Sequence, residues 1–125
     1  TLAGFTLDQT SFISGETIPL TLYWQPEALI DTSYKVFVQV LYENGRLIAQ
    51  QDQTPANGTR PTTGWVPEEF VQDNYALVLP TDAVPGQYHL ITGLYNAETG
   101  ERLPLADGSS DAITIPVSIE VKTGE

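Results

Sequence analysis

Over residues 15 to 24, GETIPLTLYW, apolar and polar side chains alternate so regularly that one backbone conformation accounts for them. Ile18, Leu20, Leu22 and Trp24 fall on one face, and Thr17, Pro19, Thr21 and Tyr23 on the other. Successive side chains of a strand point to opposite faces, so a period of two specifies a half-buried strand and excludes an amphipathic helix. AITIPVSIEV, residues 112 to 121, repeats the pattern with Ile113, Ile115, Val117, Ile119 and Val121 inward. Pro116 has no amide to donate, which places this second strand at a sheet edge or at a bulge.

The same rhythm runs through most of the chain. YKVFVQVLY, residues 34 to 42, puts Val36, Val38 and Val40 on one face but Phe37 and Leu41 on the other, so something is expected to cover Phe37. Asn44-Gly45 then predicts a hairpin through a type I′ turn, whose two central residues need positive φ. YALVLP (75–80) and QYHLITGLYN (87–96) read as strands joined by a turn at VPGQY, where Pro85 presets φ and Gly86 tolerates the left-handed region. NAETGERLPL predicts a second hairpin, with Gly100 at the positive-φ position before Arg102 and Leu103. No segment has a helical period. Short strands separated by Gly and Pro turns predict an all-β, antiparallel, immunoglobulin-like β-sandwich of seven or eight strands. Its core is expected from Phe5, Leu7, Ile18, Leu20, Leu22, Trp24, Val36, Val38, Val40, Leu77, Leu79, Tyr88, Leu90, Leu94, Ile113, Ile115, Val117 and Ile119.

A chain of 125 residues suits one hydrophobic core, so residues 1–125 are read as a single domain. Five basic residues against 16 acidic ones give a net charge of −11, a sign that repels nucleic-acid backbones and anionic lipid surfaces. No nucleic-acid partner and no direct membrane insertion are therefore expected. Without cysteine, neither disulfides nor thiolate chemistry is available. No apolar run approaches the roughly 18 residues of a membrane span. The chain opens mid-phrase at Thr1 and closes on Lys122-Thr123-Gly124-Glu125, which reads as a piece excised from a longer protein.

Residues 51 to 73, QDQTPANGTRPTTGWVPEEFVQD, break the alternation. Pro55, Gly58, Pro61, Gly64 and Pro67 exclude both a helix and a regular strand. Long unstructured loops in compact domains are either functional or packed down by their own side chains. Trp65 decides between these: turned inward over Phe37 and Leu41 it is a plug, and turned outward beside Arg60 and Asp52 it is a platform. Asp52 and Asp73 bracket the stretch and are expected to accept hydrogen bonds from loop amides or from Arg60.

In this order, the phrases SGETIPLTLYW, YKVFVQVLYENGRLIAQQDQTPANGTRPTTGW, EEFVQDNYALVLP and VPGQYHLITGLYNAETGERLPL, with the closing strand, cover nearly the whole chain. The whole resembles the C-terminal extracytoplasmic β-sandwich domain of bacterial membrane glycosyltransferases of the dolichyl-phosphate-mannose protein mannosyltransferase-like kind. Matching positions are Trp24, Asp52, Pro55, Gly58, Pro61, Trp65, Asp73, Pro85, Gly86, Tyr88, Gly93, Tyr95, Arg102 and Leu103. Val66-Pro67-Glu68 departs from the pattern, which often has glycine after the loop tryptophan. The resemblance implies an extracytoplasmic accessory module tethered through a membrane-spanning parent, with no ligand to carry over.

Catalytic chemistry finds little support. The one histidine, His89, lies in a strand between Tyr88 and Leu90, and acidic residues without placement do not make a glycosidase pair. No cofactor is expected. Two functional classes remain. One is a structural or interaction module that caps its parent, spaces it from the envelope, or contacts a partner domain through the apolar second face near Phe37, Leu41 and Tyr42. The other is a glycan-binding module in which Trp65, Tyr23, Arg60, Asp52 and Asp73 form an aromatic and polar site. Asp107 and Asp111 in DGSSD are weak calcium candidates that lack the ligand spacing of an EF-hand. Asn57-Gly58-Thr59 fits the N-glycosylation acceptor pattern, which marks the loop tip as hydrophilic.

Overall fold

The computed structural model describes residues 2–104 and 110–122. Its strands are β1 (Leu2–Thr6), β2 (Ser11–Ile13), β3 (Thr17–Trp24), β4 (Tyr34–Tyr42), β5 (Leu47–Gln53), β6 (Val71–Val78), β7 (Gly86–Asn96) and β8 (Ile113–Lys122). A 3-10 turn at Thr62–Gly64 is the one helical element among the described residues, and no helix there is long and apolar enough to cross a membrane. The strands form two sheets, ordered β1-β3-β6 and β2-β8-β7-β4-β5. Their inner faces share one core, so the fold is an all-β, immunoglobulin-like β-sandwich.

All pairings are antiparallel except that of β2 with β8, which is parallel. The cause lies in the path of the chain. After β1 it does not reverse but steps across to the other sheet in the same direction, which is also the direction of β8. That crossing straps one side of the sandwich. On the opposite side the two edge strands are bridged by glutamines: Gln51 accepts from the Ala76 amide at 2.9 Å, and Gln53 donates to the Asn74 carbonyl at 3.1 Å.

The alternation seen in the sequence sets which residues meet in the middle. Ile18, Leu20, Leu22, Trp24, Val36, Val38, Val40, Leu77, Leu79, Tyr88, Leu90, Ile115 and Ile119 are all buried. Phe5, Leu7, Leu94, Ile113 and Val117 pack on this core but stay partly exposed, because they lie toward sheet margins. Phe12, Trp65, Val71, Tyr75, Ala83 and Val121 complete it. Pro116 sits in a bulge: between its pairings with His89 and Ile91, β8 runs from Ser118 to Thr114, longer than the matching segment of β7. Tyr88 donates from its hydroxyl to the Val84 carbonyl at 2.6 Å, pinning the entry of β7 as the tyrosine corner does in this class of fold.

Two local expectations are corrected. At Asn44-Gly45 only Gly45 has positive φ, at 86°, so the turn is not type I′. The Gly45 amide instead donates to the Tyr42 carbonyl at 2.8 Å, and the Asn44 side chain accepts from the Arg46 amide at 2.9 Å, which stabilises a longer hairpin loop. The aperiodic stretch is also shorter than residues 51 to 73. Gln51–Gln53 belong to β5, and β6 begins at Val71, with Val71, Asp73, Tyr75 and Leu77 all buried along it. An aspartate at an inward position hid the period of two.

Candidate functional site

The five residues singled out in the sequence divide among four places. Trp65 and Asp73 lie in the interior, at 2% and 0% exposure. Tyr23 sits on the outer face of the three-stranded sheet, where its hydroxyl accepts from Thr6 at 3.2 Å. Asp52 stands on the outer face of the five-stranded sheet, paired across from Phe37. Arg60 forms an ion pair with Glu69 in the loop between β5 and β6. Tyr23 and Asp52 are thus on opposite outer faces of the sandwich, and the five do not share a surface.

Trp65 is a plug, but its seat differs from the one expected. The 3-10 turn delivers its ring onto Trp24, with centroids 6.4 Å apart and planes 30° apart, rather than over Phe37. Its indole N–H donates to the Arg60 carbonyl at 2.8 Å. Thr62, fully buried one turn earlier, donates to the Thr32 carbonyl at 2.7 Å and accepts from the Tyr34 amide at 3.0 Å, tying this loop to the one before β4. The Arg60 hydrogen bond, then the Val66 amide, holds the Glu69 carboxyl below the usual carboxylate range.

Asp73 anchors the other end of the loop. Its carboxylate accepts from the Trp24 indole at 3.3 Å, the Tyr75 hydroxyl at 2.7 Å, the Gln53 amide at 2.9 Å and the Ala56 backbone at 2.8 Å. A loop amide is therefore one partner, as expected, while Arg60 turns to Glu69 instead. The bond to Ala56 holds a turn in which Ala56, Asn57 and Gly58 all have positive φ, at 55°, 58° and 87°. For the two non-glycine residues that conformation is unfavourable by about 1–2 kcal/mol each, and the amide–carboxylate bond offsets part of it.

Burial, then the neighbouring Asp73 charge, pushes the Tyr75 phenol far above its ordinary value. A phenol whose folded pKa is raised contributes stability below its unfolded pKa, about 10, and that stability is lost as pH rises beyond it. We expect unfolding in alkali above about pH 10, with Tyr75 ionising only as the domain opens. Tyrosine absorbance and circular dichroism should change together. Tyr75→Phe should flatten the dependence.

What covers Phe37 is the second hairpin. The Arg102 guanidinium lies 4.2 Å from the Phe37 ring centroid, and the Tyr95 ring is tilted against it at 6.3 Å. Gly93, directly across the ladder, makes room for the ring, since a Cβ there would approach it to 2.7 Å and the Asp111 carbonyl to 3.0 Å. Gly93→Ala should therefore destabilise the domain by about 1–3 kcal/mol, the range for an overpacked site, as read from a denaturant midpoint. An unchanged midpoint would mean that the Phe37 ring can move away without loss.

Beside Phe37 opens a groove of about 220 Å³ lined by Phe37, Gln39, Asp52, Tyr95, Gly100 and Arg102. The Tyr95 hydroxyl donates to Asp52 at 2.9 Å, and burial, then Asp52, raises its pKa. Arg102 also pairs with Asp111 at 3.5 Å. Of the sequence candidates only Asp52 belongs to this groove. Phe37 was expected as part of an apolar contact face, while Gln39, Tyr95, Gly100 and Arg102 were not singled out as a site, although Arg102 after Gly100 was an available signal. A smaller polar hollow of about 120 Å³ lies between Ala56, Asn57, Gln72 and Asn74.

Among the described residues no group of three or more acidic or histidine side chains is placed to hold a metal ion. Asp107 lies outside the described residues, so the calcium expectation is carried there by Asp111 alone, engaged with Arg102. His89 stands opposite Ser118 in the β7–β8 ladder.

No protein-family model and no curated protein sequence matches the chain. The fold is similar to the crystal structure of the CARDB domain of a Pyrococcus furiosus protein in complex with di-metal ions, at 15% identity and a TM-score of 0.54. That similarity covers 97% of this chain and 90% of the other, and at this identity it establishes the shared β-sandwich architecture.

Proposed function

We propose that this domain is a non-catalytic accessory module of a larger, membrane-attached glycosyltransferase-like protein, held outside the cytoplasm, where it spaces and contacts neighbouring parts of that protein. The observation that carries this reading is the direction of the chain through the sandwich. β1 starts beside Trp24 at the pole where β4 begins and β7 ends, whereas β8 ends beside Gly86 at the opposite pole. A module threaded pole to pole holds the far pole of the sandwich away from the segment that enters it. Exposed Leu29, Val66 and Phe70, at 78%, 59% and 65%, stand in the loops of the first pole and offer apolar contact surface there. The polar groups with acid–base potential support the same reading: Asp73, Glu69 and Tyr75 are spent on holding the loop between β5 and β6.

The test is removal of residues 2–122 from the parent protein, followed by sugar transfer from a lipid-phosphate donor in membrane vesicles. An accessory role predicts kcat within about threefold of the intact protein and a raised KM for acceptor. A loss of kcat of about a hundredfold or more, or a parent recovered outside the membrane fraction, would overturn it.

A further inference from the structure

We propose that the groove on the outer face of the five-stranded sheet is a subsite for a neutral saccharide, holding one sugar ring of a longer glycan. The inference stands on the groove and does not depend on the identity of the parent protein. Its lining combines one partly exposed aromatic ring, Tyr95, packed against the buried Phe37, with a carboxylate, a guanidinium and an amide from Asp52, Arg102 and Gln39. A pyranose presents the matching chemistry, an apolar C–H face flanked by hydroxyls that both donate and accept. An aromatic wall with a few placed polar groups is the general make-up of a small-ligand site.

Charge narrows the class further. Asp52 and Arg102 leave the lining without net charge, in a chain that carries −11 overall. An anion would have to approach against that field and compete with Asp111 for Arg102. A cation would meet Arg102 itself. An uncharged polyol meets neither obstacle.

The groups are also held in place before any ligand arrives. Arg102 is fixed between the Phe37 face and Asp111, and Asp52 by the Tyr95 hydroxyl. Among the described residues the second Asp52 oxygen has no hydrogen-bond partner, and guanidinium N–H groups remain beyond the single contact to Asp111. Such preorganisation lowers the entropy cost of ordering side chains on binding. At about 220 Å³ the groove is smaller than the pockets that enclose whole drug-sized ligands. One ring lying across an open sheet face fits that size, with its neighbours in the glycan extending along the sheet.

The test is titration of the 125-residue domain with maltotriose, cellotriose, mannotriose and chitotriose, with trigalacturonate as the anionic comparison, followed by amide NMR. The expected result is saturable shifts at Phe37, Gln39, Gly93 and Gly100 with at least one neutral trisaccharide, in the millimolar range or tighter. Tyr95→Ala should weaken that binding about tenfold. Asp52→Asn, which keeps the size of the side chain, should weaken it about fivefold and supplies the readout if Tyr95→Ala does not fold. The inference is overturned if no neutral trisaccharide moves these amides, if trigalacturonate binds more tightly than all of them, or if folded variants bind as well as the parent sequence.

Discussion

Asp73→Ala is expected to lower the unfolding free energy by about 3–5 kcal/mol, the order expected when several neutral donors lose one shared charged acceptor. Four donors converge on this carboxylate: the Trp24 indole, the Tyr75 hydroxyl, the Gln53 amide and the Ala56 backbone. Alanine leaves the Trp24 and Tyr75 donors facing a buried hole and takes one acceptor from the half-buried Gln53 amide and Ala56 backbone. Each unsatisfied buried donor costs about 1–3 kcal/mol before water or rearrangement relieves it. Folded domains hold only about 5–15 kcal/mol in total, so a large share of the stability is at stake. Urea unfolding followed by tryptophan fluorescence measures it directly. Asp73→Asn should fall between the two, because its oxygen still accepts while its amide must point N–H groups at other donors. A loss below about 1 kcal/mol for Asp73→Ala would show that the donors find partners elsewhere.

Trp65→Ala should cost a similar amount, about 3–5 kcal/mol, the range for truncating a buried large aromatic. The ring fills the space against Trp24, and its N–H satisfies the Arg60 carbonyl. Asp73 belongs to a strand, whereas Trp65 lies within the loop itself, so the loss should come with a local symptom. Protease cleavage within residues 54–70 should become faster than global unfolding allows, since the loop would then be held to the body of the fold only at its flanks, by Thr62, the Asp73–Ala56 bond and the contacts of Glu68 with Gln25 and Pro26. In the unaltered domain acrylamide should quench tryptophan fluorescence weakly, because Trp24 and Trp65 are each only 2% exposed. Strong quenching, or a variant of unchanged stability, would show that the indole does not occupy this seat.

These two residues were also candidates for a glycan platform, and their fate shows where sequence reading stops. A tryptophan in a Pro- and Gly-rich loop has the same local sequence whether it points inward or outward. The difference lies in Trp24, which is 41 positions away in the chain and stacks beneath it. Asp73 was harder still, since its charge argued for solvent. It is tolerated inside because donors from three separate segments, β3, β5 and the loop after β5, arrive at its oxygens together with Tyr75.

The groove at Phe37 was half legible. Phe37 on the outward face of an otherwise regular strand announced that something must cover it. That the cover is Arg102 and Tyr95 depends on β7 lying beside β4 and on the hairpin folding back over both. Gly93 gives the physical reason in one position: only a residue without a Cβ lets the ring lie flat across the ladder. In sequence it is one glycine among 10.

What the sequence determined by itself is therefore the part of the structure governed by short-range periodicity. Alternation at β3, β4, β7 and β8, punctuated by Gly and Pro, specified strands, faces, most of the core and the sandwich class, because a strand's faces follow from its own neighbours in the chain. The tertiary structure alone decided the parallel step of β2 onto β8, the start of β6 at Val71, the inward turn of Trp65 and Asp73, and the meeting of Asp52 with Tyr95 and Arg102. Each of these depends on contacts between residues distant in sequence, whose energies arise only when the two sheets have closed on one another.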